Sequence, residues 1–260
     1  MKRQSWMVGA AALVTVACGA AVWALVSQGG SDQPPSARSL VAVRATPRGA
    51  DPPHETRLRL SHPGQAIVWL RRGQRIALRT SPRGDLVREL SWRTQFGSPT
   101  VLAVFARHGR WAGVPTPLLP AGKLGWLKLD PTRLRAGWTR YSIDVDLSSK
   151  RARLRLGRRV LRSFPVTVGS PASPTPTGRF AVTDMFRGNL NPAYGCCALA
   201  TTATQPDLPS GWLGGNRIAL HGTPGPLGLA ISHGCVRAAN TDVSALVGRV
   251  ALGTPVVIHE

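Results

Sequence analysis

Carboxylates are scarce in this chain: 12 Asp and Glu stand against 33 Lys and Arg, a formal charge of +21 over 260 residues. Such a balance favours anionic neighbours over cationic ones. The excess is uneven, because residues 36–163 hold 26 cations and 7 carboxylates whereas residues 164–260 hold 5 and 4. Arginine supplies 29 of the 33 cations beside abundant Ala, Gly and Pro, so part of the excess is compositional and needs no partner. Cysteine is also sparse, and four thiols do not make the dense framework of a small disulfide-stapled domain. No segment carries a long helical apolar stripe, which argues against a helical bundle and for an all-β chain. No Asp or Glu occurs between Asp207 and Asp242, so chemistry placed there has no carboxylate close in sequence.

One long run does lack charge. After the basic flank of Lys2 and Arg3, none occurs until Asp32. Trp6 to Val26 is long enough to span a bilayer at about 1.5 Å per helical residue. Residues 1–30 are therefore expected to be a signal anchor, or a signal peptide cleaved near Val22 and Ala24. A lipid-modified Cys18 is a weaker third reading, because Thr15 stands where a branched apolar residue is wanted. All three export the rest of the chain, which argues against the nucleic-acid partner that so basic a sequence first suggests. Anionic wall polymers or acidic lipids fit the basic half better.

Residues 31–63, rich in Pro, Ser, Gly and Arg, read as a flexible linker. Short apolar runs broken by turns (IVWL, RIALRT, VLAVFARH, WAGVP, LGWLKL) then predict a small β module over 64–130. WAGVPTPLLPAGKLGWLKLD resembles an SH3-like β-barrel module. A second all-β unit, 141–260, opens on the alternating YSIDVDLSSKRARLRLGRRVLRSFPVTVG, passes the proline-rich loop SPASPTPTG, and ends on the strand VVIHE.

Within it, HGTPGPLGLAISHGCVRAAN (221–240) places two of six histidines around one cysteine. A zinc site could use His221, His233 and Cys235, with Cys196 and Cys197 as awkward additions, since adjacent cysteines rarely share an ion. A disulfide is compatible with export but would consume Cys235. A structural thiol would be expected among large apolar side chains, not Gly, Ser and His. A cysteine nucleophile accounts for the most residues: an imidazole lowers the thiol pKa and carries the proton, while Gly234 lets backbone approach.

HGT followed by SHGCVR resembles the catalytic motif of the L,D-transpeptidases, the YkuD-type fold. IDVDLSSKRARL, FPVTVGSPASPTPTGRFAV and GTPVVI match the family in the same order. The resemblance implies a β-sandwich catalytic domain over 141–260, in the cell envelope, acting on peptidoglycan stem peptides. It implies Cys235 as nucleophile, His221 as acid/base and the Gly222 carbonyl as holder of the imidazole tautomer. Ser232 and His233 would shape the loop, and the N–H groups of Gly234 and Cys235 would form an oxyanion hole. Arg237, where some relatives have Asn, would anchor the loop or a substrate carboxylate. Ala238, Ala239 and Asn240 depart from the family, which has a larger apolar residue there. Tyr194, Cys196 and Cys197 are candidates for the pocket mouth, with core packing the alternative. The resemblance implies no metal or organic cofactor and predicts slow acylation of Cys235 by carbapenems. The product is a cross-link, or a trimmed stem if water takes the acyl group. A wall-binding protein with an inactive domain is the third reading. The remaining histidines (His54, His62, His108, His259) and the scattered tryptophans are assigned no role.

Overall fold

The structure, a computed structural model, describes residues 64–188, 190–211 and 215–260. The expected anchor over 1–30 and linker over 31–63 lie outside these residues. Among the described residues no helix is long and apolar enough to cross a membrane.

The described residues form eighteen short strands. The first eight are β1 (Gln65–Leu70), β2 (Arg75–Arg79), β3 (Leu86–Ser91), β4 (Val101–Ala103), β5 (Ala106–His108), β6 (Trp111–Pro115), β7 (Leu124–Lys128) and β8 (Leu134–Thr139). They make a three-stranded sheet, β4-β1-β8, and a five-stranded one, β3-β2-β7-β6-β5. Between them lies a core of Val68, Leu78, Val114, Leu127 and Leu134. The alternating apolar runs of the sequence supply these inward positions. The unit is not closed by residue 130, because β8 pairs along the whole of β1, from Gln65↔Thr139 to Leu70↔Leu134. LRAGWT alternates too weakly to announce itself as a strand.

The second unit holds β9 (Tyr141–Asp146), β10 (Arg151–Leu156), β11 (Arg159–Pro165), β12 (Val168–Gly169), β13 (Gly178–Arg187), β14 (Cys197–Thr204), β15 (Arg217–Thr223), β16 (Ala230–Ser232), β17 (Val236–Ala239) and β18 (Pro255–His259). Eight of them form one sheet, β11-β10-β9-β18-β13-β14-β15-β17, and β12 pairs with β16. In β9 and β10 every second residue is apolar: Ile143, Val145, Ala152 and Leu154 are buried. The intervening charges face one another, with Arg153 opposite Asp144 and 2.9 Å from it. Along β13, β14 and β15 both faces are buried, as near-continuous small and apolar sequence requires. The helix α1 (Asn240–Val247) touches β14 and β15, while β4 and β6 of the first unit touch β13.

The helix was not expected from the sequence. It is only eight residues long and buries Asp242, Val243, Leu246 and Val247, too short a pattern to register as a stripe. Its Asp242 receives a hydrogen bond from Arg162 Nε at 2.6 Å, which ties it to β11.

Candidate active site

The site is built where β15 runs parallel to β17. Their register pairs Leu220 with Val236, His221 with Arg237 and Gly222 with Ala238. Alternation along a strand puts His221 and Arg237 on the same face, and Cys235, immediately before β17, follows that alternation opposite Ala219. The pairing thus brings the thiol and the imidazole to one face from positions 14 residues apart in sequence.

His221 is buried, and its Nδ1 lies 2.8 Å from the Gly222 carbonyl. A carbonyl only accepts, so Nδ1 carries the proton and Nε2 presents a lone pair. Burial lowers the imidazole pKa to about 4, and the Arg237 charge adds to this while the Gly222 carbonyl opposes it. The Tyr194 ring lies across the imidazole, 4.8 Å between centroids and inclined at 60°. Tyr194 stands in a single 3-10 turn, Pro192–Tyr194, whose first residues are capped by Asn191 Oδ1 accepting from Ala193 N–H.

Cys235 is a free thiol on a half-buried residue. Burial of the sulfur pushes its pKa up, against the opposing pull of the Ala219 backbone and the Arg237 charge. The expectation that a neighbouring imidazole lowers the thiol pKa is therefore corrected. No hydrogen bond joins the two side chains among the described residues, and both are neutral near pH 7. The reason is the dry face on which they sit, since burial disfavours the charged form of each.

The loop before the thiol is held by hydroxyls. Ser232 Oγ, fully buried, accepts from Gly234 N–H at 3.2 Å and donates to the Cys235 carbonyl at 2.6 Å. One of the two N–H groups expected to serve an oxyanion is thereby engaged inside the loop. Gly234 has φ +100°, and a Cβ there would fall 2.8 Å from Ile218 Cδ1, so no other residue fits. Arg237 is half-buried, exchanges two backbone hydrogen bonds with Thr167 at 2.8 Å, and keeps a buried Nε with no partner among the described residues. His233 is half-buried beside the thiol in sequence and is not brought onto the imidazole's strand.

Cys196 and Cys197 are joined to each other as a disulfide, so neither is a ligand nor a partner for Cys235. Among the described residues no group of three His, Cys, Asp or Glu side chains gathers to hold a metal ion. Asn240 Oδ1 accepts from Cys196 N–H at 3.0 Å. A Cβ on Gly222 or Gly195 would fall 2.1 or 2.2 Å from that oxygen, so both glycines are required by the close approach. The sequence marks Asn240 only as a departure from the family, and two buried residues behind the loop, Thr175 and Gln205, carry no sequence signal of their own. Thr175 lies in the TPTG stretch, whose resemblance to the family carries no role for it.

Residues 140–258, which contain all of this geometry, match the YkuD family, described as the L,D-transpeptidase catalytic domain. The match takes in 119 of the chain's 260 residues, and the similarity to that family is confined to them. The YkuD protein of Bacillus subtilis (strain 168) is 33% identical over 121 residues, 46% of this chain and 66% of its own length. That of Bacillus licheniformis is 31% identical over 120 residues, 45% and 65%. The chain thus spans just under two thirds of these relatives. Among solved structures, an L,D-transpeptidase from Mycobacterium tuberculosis superposes over 55% of this chain and 74% of its own, with 16% identity and a TM-score of 0.39. Another, from Stackebrandtia nassauensis, covers 46% and 55%, with 17% identity and a TM-score of 0.36. The YkuD match begins at β9 and leaves the first unit outside it.

Proposed function

We propose that the YkuD segment is a peptidoglycan L,D-transpeptidase acting through a thioester on Cys235. The observation that carries this is the β15–β17 register: one face presents Cys235 and an imidazole whose Nδ1 is fixed on the Gly222 carbonyl. That carbonyl does the orienting work of a carboxylate, and Nε2 is left as the base.

Sγ attacks the carbonyl carbon at the L-centre of the donor's diamino acid, and the thiol proton passes to His221 Nε2. The tetrahedral oxyanion collapses, the C–N bond to the terminal D-Ala breaks, and the proton on Nε2 goes to the leaving amine. An amine of a neighbouring stem then attacks the thioester, returning a proton through Nε2 and releasing Sγ. With both groups neutral at rest, proton transfer accompanies attack and no preformed ion pair is needed. Arg237, whose Nε has no partner among the described residues, would take a substrate carboxylate. Tyr194, laid on the imidazole, would form one wall of the substrate site. If water replaces the amine, the same thioester gives a carboxypeptidase.

The first unit is proposed to be an SH3-like module, and the N-terminal segment an export signal or anchor that places the enzyme in the cell envelope. The test is mass spectrometry of the protein with a disaccharide-tetrapeptide, with and without a second stem. A cross-linked dimer and loss of D-Ala are expected, and Cys235→Ala should give neither. Turnover by the alanine variant would refute the thioester, and trimming alone would select the carboxypeptidase.

A further inference from the structure

Thr175 is buried to 4% exposure in the loop between β12 and β13, 59 residues from the loop that carries the thiol. Its Oγ1 accepts from Gly169 N–H at 2.8 Å and donates to the Gly234 carbonyl at 2.8 Å. A hydroxyl has one proton, and here both the proton and a lone pair are committed, so the bond to Gly234 is fixed in direction. Together, Ser232 and Thr175 engage Gly234 N–H, the Gly234 carbonyl and the Cys235 carbonyl. Cys235 N–H is left out of this set.

That N–H shares a peptide plane with the Gly234 carbonyl. The bond is trans, so its C=O and N–H bonds point in opposite directions, and holding the carbonyl inward on Thr175 turns the N–H away from that loop. Addition of Sγ to an acyl carbon places the developing oxyanion beside this donor, in reach of the amide of the same residue. We propose that Thr175 is a positioning residue that aims Cys235 N–H at the oxyanion, a role that rests on the acyl-transfer reading given above.

Other contacts keep Thr175 itself in place. Gln205, 2% exposed, donates Nε2 to the Pro174 carbonyl and accepts from Asp207 N–H at 2.8 Å. Ser173 Oγ donates to the Asp207 carbonyl at 2.6 Å, and Ser170 N–H donates to the Ser232 carbonyl at 2.8 Å. A Cβ on Gly234 would also come within 3.0 Å of Gln205 Nε2, so the two loops are packed without slack.

The experiment compares two reactions of one thiol. Acyl transfer needs the oxyanion donor, whereas alkylation by iodoacetamide displaces iodide at a saturated carbon and forms no oxyanion. Thr175→Val keeps the shape and removes both hydrogen bonds. Its acylation by the disaccharide-tetrapeptide should fall about 10- to 100-fold in kcat with little change in KM, somewhat less than outright loss of an oxyanion donor. Its alkylation rate and the pH dependence of that rate should stay within about twofold of wild type, and Thr175→Ser should recover most of the lost kcat. Unchanged acylation in Thr175→Val, or acylation and alkylation falling in parallel, overturns the proposal. Should the valine variant not fold, the infrared carbonyl band of the wild-type acyl-enzyme decides: a band lowered from that of a free thioester supports the aimed N–H, and an unshifted band overturns it. A wild type that forms no acyl-enzyme at all refutes the transpeptidase reading itself, an outcome distinct from failure of Thr175 alone.

Discussion

His221 and Cys235 are pushed apart in pKa by the same burial, downward for the imidazole and upward for the thiol. An imidazole base is competent when neutral, so kcat/KM should hold as pH falls and decline only near pH 4, well below the ordinary histidine value of 6.5. A pH–rate profile with its acid limb near 6.5 would refute the dry imidazole. Alkylation of Cys235 should keep accelerating through pH 9, where an ion pair would have levelled near neutrality. His221→Ala should cost at least about 100-fold in acyl transfer, the usual scale of general-base assistance, and leave the alkylation profile nearly in place. His233→Ala should retain measurable transfer, since His233 is not on the strand that faces the thiol. A reversed ranking of the two variants would exchange their roles.

The elements add a constraint that neither histidine reveals. Asp184 on β13 is fully buried, accepts from Thr94 Oγ1 of the first unit through Oδ1, and leaves Oδ2 without a partner among the described residues. Arg217 of β15 is mostly buried behind it, its pKa lowered by desolvation and raised in part by the Asp184 charge. Phe96 meets Phe186 edge-on at 5.5 Å in the same contact. Asp184→Ala should therefore destabilise by about 1–3 kcal/mol in urea unfolding, because Thr94 Oγ1 loses the acceptor that the second unit supplies. Thr94→Val should cost about 1–3 kcal/mol by leaving a carboxylate oxygen unpaired. A silent Asp184→Ala would show that the two units do not depend on this contact. Such long-range polar contacts are invisible in the sequence, whereas strand-by-strand alternation in β9 and β10 is plain. His221 and Cys235 were legible because two short motifs carry them. Thr175 and Gln205 were not, since each acts through backbone groups that only the fold brings near, and Asn240 stood out in the sequence only as a departure from the family.

At the scale of the molecule, acid and salt act on different parts. His221 has its folded pKa depressed from 6.5 to about 4, so its contribution to stability is whole above pH 6.5 and is lost as pH falls toward 4. At about 1.36 kcal/mol per pKa unit the loss approaches about 3 kcal/mol. Denaturant midpoints at pH 7 and 4.5 should show the fall in wild type and a smaller one in His221→Asn. An equal fall in both would assign acid lability elsewhere. The basic half, 26 cations to 7 carboxylates over residues 36–163, should pellet the protein with anionic wall polymers or acidic vesicles at low salt and release it as salt rises. Pelleting indifferent to salt would leave the charge as a solubilising surface only.

The placing of β18 between β9 and β13 has a consequence in time. β9 pairs with β18 in parallel, Ile143 with Val256 and Val145 with Ile258, so the middle of the great sheet stays open until the strand at 255–259 has been synthesised. Roughly 110 residues separate the partners, about 5–20 s of elongation at typical rates, during which the β9–β11 meander has only itself to pair with. A ribosome stalled anywhere before Val256 should therefore display a protease-sensitive nascent segment after residue 140, and protection should arrive late and in a single step as the final strand slots between its neighbours.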